Sequence, residues 1–282
     1  MNKEMELNDR DLMEFKEFLY DRENSQATIQ KYMTDIKSFY KYIGNKKSVQ
    51  KKDLLEYKQW LMERYAVSSA NSMIVALNQY LLFKDAAELR IKRIKVQKQD
   101  FLKDEKNLSR KEYKLLLETA LKKGNEQLAY IMETIAATGI RISELSSFTV
   151  EKVKSGRIEV MNKGKSRIVL LPGKLRLKLM KFAKKNGIRK GPIFVTKSGK
   201  PKNRSNIWAE MKKLQSESGV EGNKIFPHNL RHLFARCYYQ NTKDLTGLAD
   251  LLGHSSLEVT RIYTIEPGIE FQRKVEKLGL IS

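Results

Sequence analysis

Disulfides, metal ligands and acidic charge are all in short supply in this chain. Its 282 residues contain one cysteine and three histidines. The lone cysteine, Cys237, excludes an internal disulfide, reads as a small buried hydrophobe and fits a reducing, cytoplasmic setting. One cysteine and three histidines also give no zinc-ligand spacing, so neither a metal nor a cofactor is expected. There is no run of 18 apolar residues, so no membrane span is expected. The opening MNKEMELNDRDLMEF carries acids where a secretory signal needs a bare apolar stretch. Acidic residues number 33 against 55 Lys and Arg, a net charge of +22. That excess implies a polyanionic partner, nucleic acid first and an anionic membrane surface second. A hydrophobic content of 41% is enough for a buried core.

Helical periodicity dominates the first hundred residues. In SQATIQKYMTDIKSFYKYIG, Ile29, Tyr32, Met33, Ile36, Phe39, Tyr40 and Ile43 recur at helical spacing between a Ser25 cap and a Gly44 stop. LNDRDLMEFKEFLYDR places Leu12, Phe15 and Leu19 on one face, and KKDLLEYKQWLMERY and SSANSMIVALNQYLLF repeat the style. Residues 1–93 therefore read as a four-helix module. Residues 94–107 are charge-rich and aperiodic and read as a basic linker. A second domain, 108–282, opens on a helix capped by Ser109 and continues through a helix stopped by Gly139. Two short strands, 157–160 and 168–171, are expected around a basic turn, with PIFVT as a third. The fold class expected is mainly α with a small antiparallel β-sheet.

All three histidines fall in the last fifth of the chain. His228 and Arg231 in PHNLRH lie three apart, so they share a helix face, and Pro227 suits the first helical position. Imidazole and guanidinium beside a helix N-terminus suit a phosphate. His254 follows Gly253 at a corner between helices, with Ser255 and Glu258 at capping-box spacing, and Tyr263 lies nine residues on. Arg141 sits just past Gly139, and Lys163 and Lys165 occupy a hairpin tip. Each of these residues, taken singly, has an ordinary structural explanation.

Together they resemble the tyrosine recombinase (phage integrase) family. ATGIRISEL, the hairpin NKGKSR, HNLRH and LLGHSSLEVTRIYT follow the family's order and spacing, and the first domain looks like its helical core-binding domain. The resemblance implies a site-specific DNA recombinase that cleaves and rejoins DNA through a 3′-phosphotyrosine, without metal or ATP. Tyr263 would be the nucleophile, and Arg141 and Arg231 the clamp on the non-bridging oxygens. His228 would accept the tyrosine's proton, Lys163 would protonate the leaving 5′-oxygen, and His254 would hydrogen-bond the phosphate. A tyrosine ionises near ~10, and the cationic pocket is expected to lower that value. The hairpin departs from the family's G-K-G, with Asn162 first and a shorter turn, which leaves Lys165 as the alternative acid. Glu144 is either a support for Arg141 or a plain i,i+3 surface pair. His232, Tyr238 and Tyr239 read as structural.

The resemblance further implies double-stranded DNA as partner, gripped by a two-domain clamp, and a homo-tetramer on DNA. The tail, with Ile269, Phe271, Val275 and Leu278, would dock on a neighbouring subunit or on its own domain. No extra N-terminal arm-binding domain is expected. The layout fits a mobile-element recombinase or an Xer-like one, and the divergent hairpin tilts towards the former. A metal-dependent nuclease would need clustered acids and would leave the Arg–Lys–His–Arg–His–Tyr series unexplained. A type IB topoisomerase shares the chemistry, but the short helical first domain and LLGH favour recombination. A DNA-binding protein that never cuts would have no use for a nucleophile inside an anion hole.

Overall fold

A computed structural model of the chain describes residues 4–8, 10–95, 107–162, 165–263 and 277. The chain divides into two compact units, Met1–Gln99 and Asp100–Ser282, each with its own core.

The first unit is built on α1 (Asp11–Asp21), α2 (Gln26–Ile43), α3 (Lys51–Arg64) and α4 (Val67–Phe83). Helix α2 begins where Ser25 accepts a hydrogen bond from the Thr28 amide and ends at Gly44, whose φ of +65° few other residues adopt. Its buried residues Ile29, Ile36, Phe39 and Ile43 keep the helical stripe that the sequence shows. Not foreseen was a two-stranded ribbon, β1 (Glu4–Glu6) antiparallel to β2 (Ser48–Gln50), which turns Met5 and Val49 inward. Two asparagines on α4 fix the chain that leaves this unit. Asn78 exchanges a pair of hydrogen bonds with the backbone of Ile91, and Asn71 does the same with Ile94. Such pairs satisfy an extended backbone that has no neighbouring strand.

In the second unit, α5 (Arg110–Lys122) opens with a reciprocal capping box between Ser109 and Glu112. Helix α6 (Glu126–Thr138) stops at Gly139, and a 3-10 turn follows at Ile142–Ser147. Next come α7 (Val150–Ser155), β3 (Arg157–Asn162), β4 (Lys165–Leu170) and α8 (Gly173–Lys185). Strands β3 and β4 pair antiparallel from Arg157↔Leu170 to Asn162↔Lys165, longer than expected at the tip end. The expected third strand, PIFVT, is not one. Ile193 and Phe194 are buried, but among the described residues this stretch makes only single bridges, Thr149↔Pro192 and Val195↔Pro201. Proline lacks the amide a ladder requires, so both bridges end where they begin.

The remaining helices are α9 (Arg204–Lys212), α10 (Gln215–Ser218), α11 (Pro227–Thr242), α12 (Leu245–Leu252) and α13 (Leu257–Thr260), closed by a 3-10 turn at Arg261–Tyr263. Ser256, rather than Ser255, caps α13. Leu230 of α11 joins Ile131 and Ile135 of α6 in one core. At Gly139, a methyl group would lie 2.4 Å from the Phe234 ring of α11, so both the positive φ and the close approach of α11 require glycine. No described helix is long and apolar enough to cross a membrane.

Candidate active site

Three helix ends place the cationic side chains. Helices α6 and α12 both finish at left-handed glycines, Gly139 and Gly253, which leave their last carbonyls unpaired within the helix. Arg231, on the first turns of α11, fills the space between them. Its Nη1 donates to the Gly139 carbonyl at 2.5 Å and its Nη2 to the Leu252 carbonyl at 2.7 Å. It is only 1% exposed, yet its charge lies against the negative ends of two helix dipoles.

Arg141 reaches the same corner from the other side. Its Nη1 donates to the Leu252 carbonyl at 3.3 Å and its Nη2 to the Gly253 carbonyl at 3.4 Å. The two arginines therefore share one carbonyl. Like charges at that separation persist only where an anion, a carboxylate or aligned dipoles offset them.

His254 completes the corner. Its Nε2 lies 3.0 Å from Arg231 Nη2 and its Nδ1 lies 2.8 Å from Thr260 Oγ1. A guanidinium can only donate, so Nε2 is the acceptor and the ring proton sits on Nδ1, directed at Thr260. Burial, then the charges of Arg231 and Arg141, hold this imidazole neutral, down to about 4. To donate to a phosphate, as expected from the sequence, Nε2 must first be released by Arg231 and gain a proton.

His228 stands at the N-terminal turn of α11. Burial first, then Arg231 and Arg141, depress its proton affinity below the usual histidine value, so it is a neutral acceptor at pH 7. Its ring meets that of His232 edge-on at 4.4 Å, and His232 in turn lies 5.4 Å from the Tyr263 ring. Desolvation takes His232 down to about 4. His232 thus packs between the His228 and Tyr263 rings.

Tyr263 is 8% exposed and packs with Ala235, Leu248 and Leu252. The expectation that the pocket lowers its proton affinity is overturned for the chain alone. Burial of the hydroxyl raises it, and the pull of Arg231, Arg236 and Arg141 only partly offsets that rise. Desolvation outweighs the cations here because the phenolate would lose its water while the guanidinium donors nearest it are already engaged by carbonyls.

The sequence-predicted residues Arg141, His228, Arg231, His254 and Tyr263 thus gather in one corner. Lys163 lies outside the described residues, as do the tail positions Ile269, Phe271, Val275 and Leu278. Glu144 is not a surface pair. It is buried on the 3-10 turn, accepting the Arg141 amide at 2.8 Å and an Arg167 Nη2 donor at 2.7 Å. Arg167 was missed, as were Arg204 and Trp208, which line a cavity of about 400 Å³ together with Arg141 and His228. The one sequence signal is that Arg204 and Trp208 lie four apart on α9 and so share a helix face. Among the described residues no three His, Cys, Asp or Glu side chains converge as a metal site.

The phage integrase family model matches residues 106–266. Over 288 aligned residues the chain is 26% identical to the tyrosine recombinase XerD of Halalkalibacterium halodurans, covering 92% of this chain and 94% of that one. Its fold resembles XerH recombinase in a pre-cleavage complex with its difH substrate, with a TM-score of 0.68, 19% identity and coverage of 93% and 88%. It also resembles lambda integrase, solved as a tetramer on a Holliday junction, with a TM-score of 0.73, 19% identity and coverage of 90% and 76%. With its cationic corner and the matched domain spanning more than half its length, the chain belongs to the phage integrase family of tyrosine recombinases.

Proposed function

We propose that the chain is a site-specific DNA recombinase in which Tyr263 cleaves and rejoins DNA. The observation that carries this reading is the convergence of Arg141 and Arg231 on the Leu252–Gly253 carbonyls, with His254 against Arg231 and the His228 and Tyr263 rings on either side of His232. The Tyr263 oxygen forms a bond to the scissile phosphorus as the bond from phosphorus to the 5′-oxygen breaks. The phenol's proton passes to His228, and Lys163 supplies a proton to the departing 5′-oxygen. The resulting 3′-phosphotyrosine is then attacked by a 5′-hydroxyl of the partner strand, which restores a phosphodiester and returns the tyrosine.

The pentavalent transition state gathers negative charge on its non-bridging oxygens. Arg141 and Arg231 meet that charge, and two of the five donors of Arg231 are already fixed by the Gly139 and Leu252 carbonyls. The guanidinium is therefore held in place before substrate arrives, and little reorganisation remains for the reaction itself. A phosphate also brings a charge that offsets Arg–Arg repulsion. The same reading makes double-stranded DNA the partner. It takes four copies as the active assembly, by analogy with the lambda integrase tetramer on its junction, and the cytoplasm as the place of action.

The test uses fragmented genomic DNA from the chain's own host. Denaturing detergent should trap a protein–DNA adduct whose attachment maps to a 3′-phosphate at a recurrent sequence. Tyr263→Phe should abolish the adduct while DNA retention stays unchanged. A Tyr263→Phe chain that still forms the adduct sinks the assignment, and a wild-type chain that only binds leaves a DNA-binding protein without strand transfer.

A further inference from the structure

Glu144 has two oxygens and three donors. Its Oε2 takes the Arg141 amide at 2.8 Å and Arg167 Nη2 at 2.7 Å, whereas the Arg141 side chain reaches Oε1 only at 3.3 Å. A carboxylate facing one arginine settles into two short parallel bonds. Such a fork would neutralise Arg141 and occupy the edge it needs for phosphate oxygens. Arg167, together with the Arg141 amide, holds the second oxygen away from that fork.

Arg167 is itself tightly placed. It projects from β4, its side chain is 14% exposed, and its Nε is buried without a hydrogen-bond partner among the described residues. Its stem lies against Gly253, where an added methyl group would come within 2.6 Å of Cδ and 2.7 Å of Nε. One side chain thus touches the acid beneath Arg141 and the glycine that precedes His254.

We propose that Arg167 is a positioning residue for strand transfer: by engaging Glu144 and abutting Gly253, it keeps Arg141 available to the scissile phosphate and fixes the corner that carries His254. This rests on the recombinase reading above. Without Arg167, Glu144 turns both oxygens to Arg141 and the clamp loses the charge of one of its two arginines.

The experiment measures adduct formation on a nicked suicide duplex carrying the site mapped by the genomic trap. Arg167→Met should slow cleavage about tenfold or more while DNA affinity stays within about threefold, the behaviour of a group that orients a first-contact residue. Replacing Glu144 as well, in Arg167→Met/Glu144→Gln, should recover most of the lost rate, because no carboxylate remains to clamp Arg141. A purely structural arginine predicts the opposite, a double variant slower than the single one. A double variant no faster than Arg167→Met overturns the proposal, as does wild-type cleavage by Arg167→Met. Should Arg167→Met fail to fold, Arg167→Lys is compared with Arg167→Gln. Lysine retains the charge and should cleave faster, and equal rates overturn the proposal. If the unaltered chain forms no adduct, the recombinase reading fails and the inference falls with it. If it does form one, any of the adverse results above removes the inference alone.

Discussion

Asp11 in the first unit and Glu144 in the second are both buried carboxylates, and the two are partnered differently. In the first unit Asp11 accepts from the Asn8 amide, from the hydroxyls of Tyr40 and Tyr80, and from the ammonium of Lys84. One acid faces one base, and hydroxyls take the remaining lone pairs. Burial pushes this carboxyl up, but Lys84 and the other donors bring it below its usual value. In the second unit Glu144 faces two guanidinium groups, and Arg231 stands close by with no acid of its own. The first cluster is neutral and saturated, so it can only brace the helices around it. The second keeps surplus positive charge in a dry corner, a state that costs stability until an anion enters. Buried charge therefore marks a site when its partners fail to cancel it.

The sharpest way to break that contrast is to remove one side chain from each cluster. Arg231→Ala should slow cleavage about 10²–10³-fold, the loss seen when one preorganised donor to a developing charge is removed. Single-turnover adduct formation on prebound DNA measures this. Asp11→Ala should leave that rate unchanged but destabilise the first unit by about 3 kcal/mol, because Lys84 and two hydroxyls lose their acceptor. Urea unfolding reports the stability, since the chain has two tryptophans, Trp60 in α3 of the first unit and Trp208 in α9 of the second. The distinction fails if Asp11→Ala slows the chemistry of bound DNA as severely as Arg231→Ala does.

Those contrasting clusters were unequally legible in the sequence. Arg141, His228, Arg231, His254 and Tyr263 sit in short contiguous motifs, each anchored to a glycine stop or a proline start that survives as a helix boundary. Local chemistry of this kind is written locally. Arg167 and Glu144 lie 23 residues apart, on a strand and a 3-10 turn, and only the packing of the β3–β4 hairpin brings them together. The β1–β2 ribbon was hidden for the same reason, since two three-residue strands 44 residues apart carry no periodicity of their own. Asp11 is, by position, one of two acids in the first turn of an amphipathic helix, and nothing local separates it from Glu14. The sign at Tyr263 was missed because a count of nearby arginines contains no desolvation, and desolvation won.

Acid should separate the two units. All three histidines belong to the second unit, and burial holds His232 and His254 to about 4 and His228 below its usual value. Unfolding returns each to about 6.5, so between those limits the unfolded chain binds more protons than the folded one. The second unit should accordingly lose stability as pH falls from about 6.5 towards 4. Asp11 shifts in the same sense, its folded value below its unfolded one, but in a lower window: its contribution is lost only as pH falls through the ordinary aspartate range and below. With Trp60→Phe and Trp208→Phe chains as single-tryptophan reporters, the Trp208 signal should shift to lower urea between pH 7 and 5 while the Trp60 signal holds. Parallel shifts would erase the difference drawn from the two clusters.

The smallest expected effects test whether the units are energetically separate at all. Ser25 caps α2 by accepting from the Thr28 amide and also meets the Thr28 hydroxyl, whereas Ser109 caps α5 with Glu112 accepting in return from the Ser109 amide. Either serine changed to alanine should cost about 1 kcal/mol, since one orphan amide at the helix start loses its acceptor. Glu112 also pairs with Lys224, and its reach to the Ser109 amide survives the substitution, so the loss at Ser109 should be the smaller of the two. What matters most is where each loss is read. If the units unfold independently, Ser25→Ala moves only the Trp60 transition and Ser109→Ala only the Trp208 transition. If both substitutions move both transitions equally, the chain unfolds as one cooperative body. The stability of the Asp11 cluster would then help to hold the strained cationic corner together.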